Sequence, residues 1–401
     1  MRVLVITRWF PNRFEPVKCI FTKNIVDAQA KYTKYNYTLI SPIPYFPKVN
    51  LPFLSEKFKN FSRLPYKENR KDYDIYRPKY FKLPHPLSKE LEWYTYFRAV
   101  GRVIKKERLR FDLIHSHGIY PDGYVAVKIG EYFGVPVVIH LHDSHFKEIH
   151  KTYLHKINNI MSYCERVIAV SEFQKRNIAE LYNNYAEKIC AIYNGVDINK
   201  FVGVERPPLP DKNGGRIVFI GNLLDVKGID TLIRAINILK NSMPIYLDIY
   251  GDGKNKKEYQ DMVNELGIGN IVKFKGFINN DVLPQYLKKY SFLVLPSRYE
   301  TFGIVLIEAM ACGIPVIATK VGAIPEIVAS SEVGILVEPN SPELLAEGIK
   351  NAINKYWNRK LISNYAKKFS IEKTAREIEK VYDEILKGVE NERTKTLRKT
   401  V

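Results

Sequence analysis

The chain has 401 residues, of which 46% are hydrophobic and 26% charged, and it carries a formal net charge of +19. That length is generous for one core and points to two domains of about 200 residues each. No apolar run reaches the ~18–20 residues of a membrane span, which excludes a membrane-embedded protein on the helical pattern. The first residues, MRVLVIT, read as a strand with no cleavable signal pattern. Cys19, Cys164, Cys190 and Cys312 are scattered without a C-x-x-C pair, so neither a zinc ribbon nor a disulfide framework is indicated, and a cytoplasmic enzyme with reduced thiols is expected.

The charge is uneven. Residues 1–110 hold 24 Lys and Arg against 9 Asp and Glu, a net of +15, so the remaining 291 residues contribute only +4 of the total +19. A basic first domain suits an acidic ligand or an acidic surface; a Lys-rich composition would give the same excess without either.

In chain order, Val3 to Thr7 read as a buried strand, Arg8 to Lys18 as a loop, and Thr22 to about Tyr35 as a helix. Residues 41–90 hold eight prolines and read as surface excursions around short strands. Within them, Leu54, Phe58, Phe61 and Leu64 fall on one helical stripe with Lys57, Lys59 and Arg63 around it, the pattern of an interfacial helix. The same stripe would serve equally as packing on the core. A basic helix from Glu92 leads to the strand Phe111–His115, a second helix over Tyr124–Phe133, and the strand Gly134–His140, which ends in His140-Leu-His142-Asp143. Short apolar strands alternating with helices of this length indicate a parallel sheet covered on both faces.

Phe201 to Gly215, with Pro207, Pro208 and Pro210 before Asn213-Gly214-Gly215, is the expected linker. The alternation then restarts with Ile217–Gly221, and Leu247–Gly253 and Val272–Gly276 follow as further strands with their turns. Phe292–Leu295 is the next buried strand. It stops at Pro296, and a helix is expected to open near Thr301–Gly303 and run to Gly313.

Glu300 just before that helix and Glu308 about two turns inside it are separated by roughly 10–12 Å at ~1.5 Å per residue. They are too far apart to share a proton. The backbone N–H groups of the helix start lie between them and suit an anion, so hydroxyl-rich groups at both carboxylates with a phosphate in the middle match a nucleotide sugar. Taken singly, Glu300 could be a helix-terminal charge and Glu308 a solvated position. The apolar run Ile304, Val305, Ile307, Ala309, Met310 argues that Glu308 is buried and needs partners.

The E-x7-E spacing of Glu300 and Glu308, with Phe302-Gly303 inside it and Glu-Ala-Met-Ala-Cys-Gly after it, resembles the signature of the retaining family 4 glycosyltransferases. Gly221-Asn-Leu-Leu-Asp-Val-Lys227-Gly, Ser171-Glu-Phe and Tyr193-Asn-Gly-Val-Asp197 continue the resemblance. It implies an α/β chain of two Rossmann-like doubly wound domains facing each other across a cleft (GT-B). Residues 1–205 would bind the acceptor and 214–375 the nucleotide sugar. Residues 376–401 would form a C-terminal helix and basic tail, its return to the first domain left open.

By the same resemblance Glu300 would hold sugar hydroxyls, Lys227 would neutralise the diphosphate, and Glu308 would grip the ribose. Phe302, Gly303 and Ile304 would line the donor with backbone groups. Gly251, Gly276 and Phe277 would contact the nucleoside, and His142 would face the donor sugar as a catalytic residue. Two departures stand out: Asn222 where the family has an arginine, and Cys19-Ile-Phe21 where a Gly-x-Phe is usual. No cofactor or metal is expected for this chemistry. The expected partners are a nucleotide-sugar donor, a glycan or lipid-linked acceptor of the kind used in cell-surface polysaccharide synthesis, and an anionic membrane surface at the inner face of the cell membrane. Nucleic acid is disfavoured because no reading helix or stacking motif accompanies the charge.

Two rival readings remain open. His140, His142, Asp143 and His145, with His115 and His117 nearby, could form the site of a metal-dependent hydrolase. The chain could also be a nucleotide-sugar-binding partner subunit without catalysis of its own.

Overall fold

In the computed structural model the described residues are 1–401 except 17, 46–59, 62, 83–87, 143–145, 202–214 and 400–401, and the side chains of 88–90 and 392–399. Leu54, Phe58, Lys57 and Lys59 of the expected interfacial stripe therefore lie outside the described residues, as do Asp143 and His145. At the stripe's described end, Leu64 is buried and Phe61 half-buried, so these two apolar side chains turn inward.

The chain divides into two compact units, 1–170 with 174–193 and 372–401, and 171–173 with 194–371. The division falls near Asn194, not in the Pro-rich stretch after Phe201. The physical reason is that the backbone N–H of Val196 donates to the Phe369 carbonyl and Lys200 pairs with Asp281, which fastens this stretch to the second unit.

The first unit is built on β1 (Arg2–Ile6), β2 (Asn36–Ile40), β3 (Ile43–Pro44), β4 (Lys67–Asn69), β5 (Tyr73–Tyr76), β6 (Lys79–Tyr80), β7 (Leu113–His117), β8 (Val137–Leu141), β9 (Arg166–Ala169) and β10 (Ile189–Ala191). Eight of these form one sheet in the order β10-β9-β8-β7-β1-β2-β5-β4, parallel throughout except the edge pair β4 and β5. β7 and β8 lie between other strands and are buried along their whole length; β8 is apolar but for His140, whereas β7 carries His115, Ser116 and His117 into the interior. The helix Ile20–Tyr32 begins two residues before Thr22 and ends before Tyr35; the basic helix likewise begins earlier, at Ser88, and runs to Lys106. The long helix Ile371–Lys399 packs here: Tyr382 is fully buried, the Gln29 side-chain amide meets its hydroxyl at 2.8 Å, and Lys34 pairs with Asp383.

The second unit repeats the plan with β11 (Gly215–Ile220), β12 (Ile245–Tyr250), β13 (Val272–Gly276), β14 (Phe292–Leu295), β15 (Val316–Thr319) and β16 (Gly334–Val337). They form a parallel sheet ordered β13-β12-β11-β14-β15-β16. Strand order reverses between β11 and β14, so the chain leaves these neighbours toward opposite sides and opens a crevice at their carboxyl ends. The loops over that crevice are the two that carry Lys227 and Glu300. Among the described residues, no helix is long and apolar enough to cross a membrane.

Candidate active site

The loop after β11 closes as a short 3-10 turn, Asp225–Lys227, and the loop after β14 leads into the helix Ile304–Ala311. Lys227 Nζ lies 2.6 Å from Glu300 Oε2, both side chains largely buried. The sequence expectation gave the two residues separate tasks; the fold makes them one ion pair. A lysine beside a helix start opposes the helix dipole, and here Glu300 compensates it.

Arg298 holds this turn in place. Its guanidinium reaches the Asp225 carbonyl, Asp230 at 2.7 Å and Asn340 at 2.8 Å, and its backbone N–H donates to Val226. The guanidinium is thus committed to the protein and does not replace the arginine that Asn222 displaces. Asn222 itself is exposed.

The helix is shorter than expected. It starts at Ile304, just past the expected Thr301–Gly303 opening, because Gly303 sits at φ 93 and turns the chain into it, so Glu308 is one turn inside and not two; it ends at Ala311, short of Gly313. The backbone N–H groups of Ile304 and Val305 have no carbonyl within the helix to bond, as at any helix start, and they face the end that carries Glu300. Phe302 is buried, which fits a residue contributing backbone while its ring packs against Phe369. Glu308 is buried at 7% exposure. Burial pushes its carboxyl up to about 7, opposed in part by a hydrogen bond from Asn280 and the charge of Lys200.

Gly322 was not singled out in the sequence, yet it governs Glu300. At φ 56 its Cα lies so close that a Cβ would stand 1.9 Å from the Glu300 carbonyl oxygen, the same oxygen that accepts from Ala323 N–H at 3.1 Å. Only glycine fits there. Gly251 follows β12 and its N–H donates to the Gly276 carbonyl, tying the two expected nucleoside loops together. Phe277 is 59% exposed and lines a cavity of about 460 Å³ with Tyr250, Tyr286 and Tyr290.

In the first unit His142 is half-buried at the end of β8. Its Nε2 lies 2.9 Å from His117 Nδ1, and its ring packs on Phe21 at 4.8 Å between centroids. Cys19 adopts φ 52, the left-handed conformation for which glycine is suited. The backbone turn expected of a glycine is therefore kept despite the substitution, and it delivers Phe21 to His142. Of the expected His140, His142, Asp143 and His145 group, the two described members meet His115 and His117 from the neighbouring strand. Burial and mutual repulsion hold His115, His140 and His142 well below the usual imidazole range, and burial holds His117 at about 3, so all four are neutral.

Residues 205–369 match the model of the glycosyl transferases group 1, and residues 58–200 that of Glycosyltransferase Family 4. An uncharacterized glycosyltransferase of Methanocaldococcus jannaschii is 34% identical over 297 residues, covering 72% of this chain and 79% of that protein. The chain belongs to the family 4 glycosyltransferases. A Bacillus subtilis protein named as a teichuronic acid biosynthesis glycosyltransferase, TuaC, is 28% identical and covers 87% of this chain and 88% of its own. Among solved structures, sucrose-phosphate synthase from Thermosynechococcus elongatus superposes with a TM-score of 0.76 at 21% identity, over 96% of this chain and 99% of that one. This family 4 glycosyltransferase has the GT-B fold of two Rossmann-like units and moves a sugar from a nucleotide-sugar donor. Neither the hydrolase nor the non-catalytic reading gains support from these relatives.

Proposed function

We propose that the donor is held by the second unit and that transfer retains the anomeric configuration. The observation that carries this reading is the Lys227–Glu300 pair beside the start of helix Ile304–Ala311, with the buried Glu308 one turn further on. The diphosphate would draw Lys227 from Glu300 and bond the helix N–H groups. Glu300, released, would accept hydrogen bonds from the sugar hydroxyls. Glu308 would accept from the ribose, and the base would lie near Gly251, Gly276 and the exposed ring of Phe277. Asn222 is assigned a neutral contact beside the phosphates. His142 takes the sugar-contacting role that the family resemblance gives it.

The leaving diphosphate is stabilised by a fixed lysine and fixed backbone dipoles, so this donor chemistry needs no metal or cofactor. The sugar is assigned as a hexose. Product anomeric configuration by NMR, from an activity screen of nucleotide sugars, tests the reading. An inverted product, or full activity in Lys227→Ala, would overturn it.

A glycan or lipid-linked acceptor at an anionic membrane surface on the cytoplasmic side is the proposed partner of the first unit. Supporting this is a cavity of about 610 Å³ there, lined by Arg63, Arg77, Lys79, Arg102 and Lys106 together with Leu64 and Tyr66. The similarity to TuaC favours a cell-surface polysaccharide as the product class.

A further inference from the structure

β7 and β8 run parallel with His117 opposite His140, and alternate residues of a strand share a face, so His115, His117, His140 and His142 project from one side of the sheet. His115, His117 and His140 are 0–1% exposed. One ring nitrogen from each of these three lies within 4.8 Å of the others. His115 Nε2, His117 Nε2 and both nitrogens of His140 are buried with no hydrogen-bond partner. Four such atoms in one place are costly, since a buried polar group without a partner has given up its hydrogen bonds to water for nothing.

The nitrogens that do have partners follow a pattern. His117 Nδ1 meets His142 Nε2 at 2.9 Å, and His115 Nδ1 meets the Tyr382 hydroxyl at 2.5 Å. With Nδ1–H donating in each case, the Nε2 lone pairs of His115 and His117 are left unused. Tyr382 can accept from His115 if the Gln29 amide is turned so that its oxygen takes the tyrosine proton, an orientation left open by an oxygen that is itself unpartnered. A histidine with one ring nitrogen held by a hydrogen bond and the other vacant is the arrangement that outer partners impose on metal ligands.

We propose that His115, His117 and His140 bind one zinc-class divalent ion inside the first unit. The ion joins β7 to β8 and, through Tyr382, the C-terminal helix. Bonds of about 2.0–2.1 Å would draw the three ligand nitrogens to roughly 3.4 Å apart, a closure that ring rotation supplies. Imidazole donors suit zinc, copper or nickel and not magnesium or calcium. The ion takes no part in donor chemistry and the inference does not depend on the donor assignment.

The test uses the tag-free full chain. Elemental analysis should find about one zinc per chain, and chelation followed by zinc should lower and then restore the melting temperature by about 5 °C or more. Cobalt added to the chelated protein should give the visible bands of an imidazole-bound ion. His140→Cys should keep binding and add a thiolate-to-cobalt charge-transfer band, a readout that requires the ion to touch position 140. Full zinc content in a folded His115→Ala/His117→Ala variant would overturn the proposal. So would a parent chain that carries no metal, shows no melting shift with zinc, and gives no cobalt spectrum.

Discussion

The helix start of the second unit and the histidine face of the first are both buried polar clusters, but they are built in opposite ways. Glu300, Phe302, Gly303 and Glu308 come from nine consecutive residues, and Lys227, the ion partner of Glu300, is delivered by the loop after the adjacent strand β11 at the point where strand order reverses. The histidine face takes His115 and His117 from β7, His140 and His142 from β8, and Tyr382 from a helix more than two hundred residues later. The first cluster is charged, with Lys227 paired to Glu300. The second is neutral and leaves nitrogens unmet. A site that must meet a charged ligand can hold its charges against each other until the ligand arrives, whereas neutral imidazoles depend on an outside group to satisfy them.

Breaking the ion pair should have the largest effect. Lys227→Ala removes the cation proposed to meet the diphosphate and leaves Glu300 as an uncompensated negative charge, so kcat should fall about 10²–10³-fold. Nucleotide diphosphate affinity, read by calorimetry, should fall with it. Glu300→Gln should instead leave diphosphate binding near the parent value while weakening the intact sugar nucleotide. Equal losses of both ligands in the two variants would show that the pair acts only as structure.

Glu308 sharpens the contrast through pH. Its carboxyl is pushed up to about 7, so the carboxylate proposed to bind the ribose forms as pH rises through that value. Donor affinity should therefore increase about tenfold from pH 6 to pH 8, and Glu308→Gln should flatten the curve. The stability effect has the opposite sign. With its folded value raised above the ordinary 4.5, Glu308 favours the folded state most below 4.5, and this contribution is lost as pH rises through about 7. Glu308→Gln should then raise the melting temperature more at pH 8 than at pH 5.

Gly322→Ala tests whether the Glu300 loop is held from behind. A Cβ there would collide with the Glu300 carbonyl oxygen, and the backbone would be strained at φ 56, so a loss of about 1–3 kcal/mol in urea unfolding is expected. Donor KM should rise, because Glu300 must move. The smallest effect belongs to the first unit's surface. Co-sedimentation with anionic vesicles at low salt should be lost at high salt and weakened by Arg63→Glu with Arg102→Glu, while neutral vesicles should not bind at all.

Several features were legible in the residues alone. The alternation of apolar strands and helices carried the two α/β units, because a parallel sheet buried on both faces leaves continuous apolar runs. Glu308 could be placed as a buried carboxylate because its neighbours at helical spacing are apolar. Helix ends were less legible. Gly303 could be placed at the opening of the helix, but its φ of 93, which delays the helix to Ile304, could not be read from the sequence. Cys19 was visible as a departure, but that it keeps a left-handed turn was not.

Local pattern, then, determined which elements form and which short segment holds the carboxylates, since hydrophobic period and helix termini are short-range properties of the chain. Tertiary structure decided the partners. Strand order brought Lys227 to Glu300, parallel register set His117 against His140, and packing of the C-terminal helix brought Tyr382 to His115. These pairings join residues far apart in the sequence, and a linear reading has no term for which strands become neighbours.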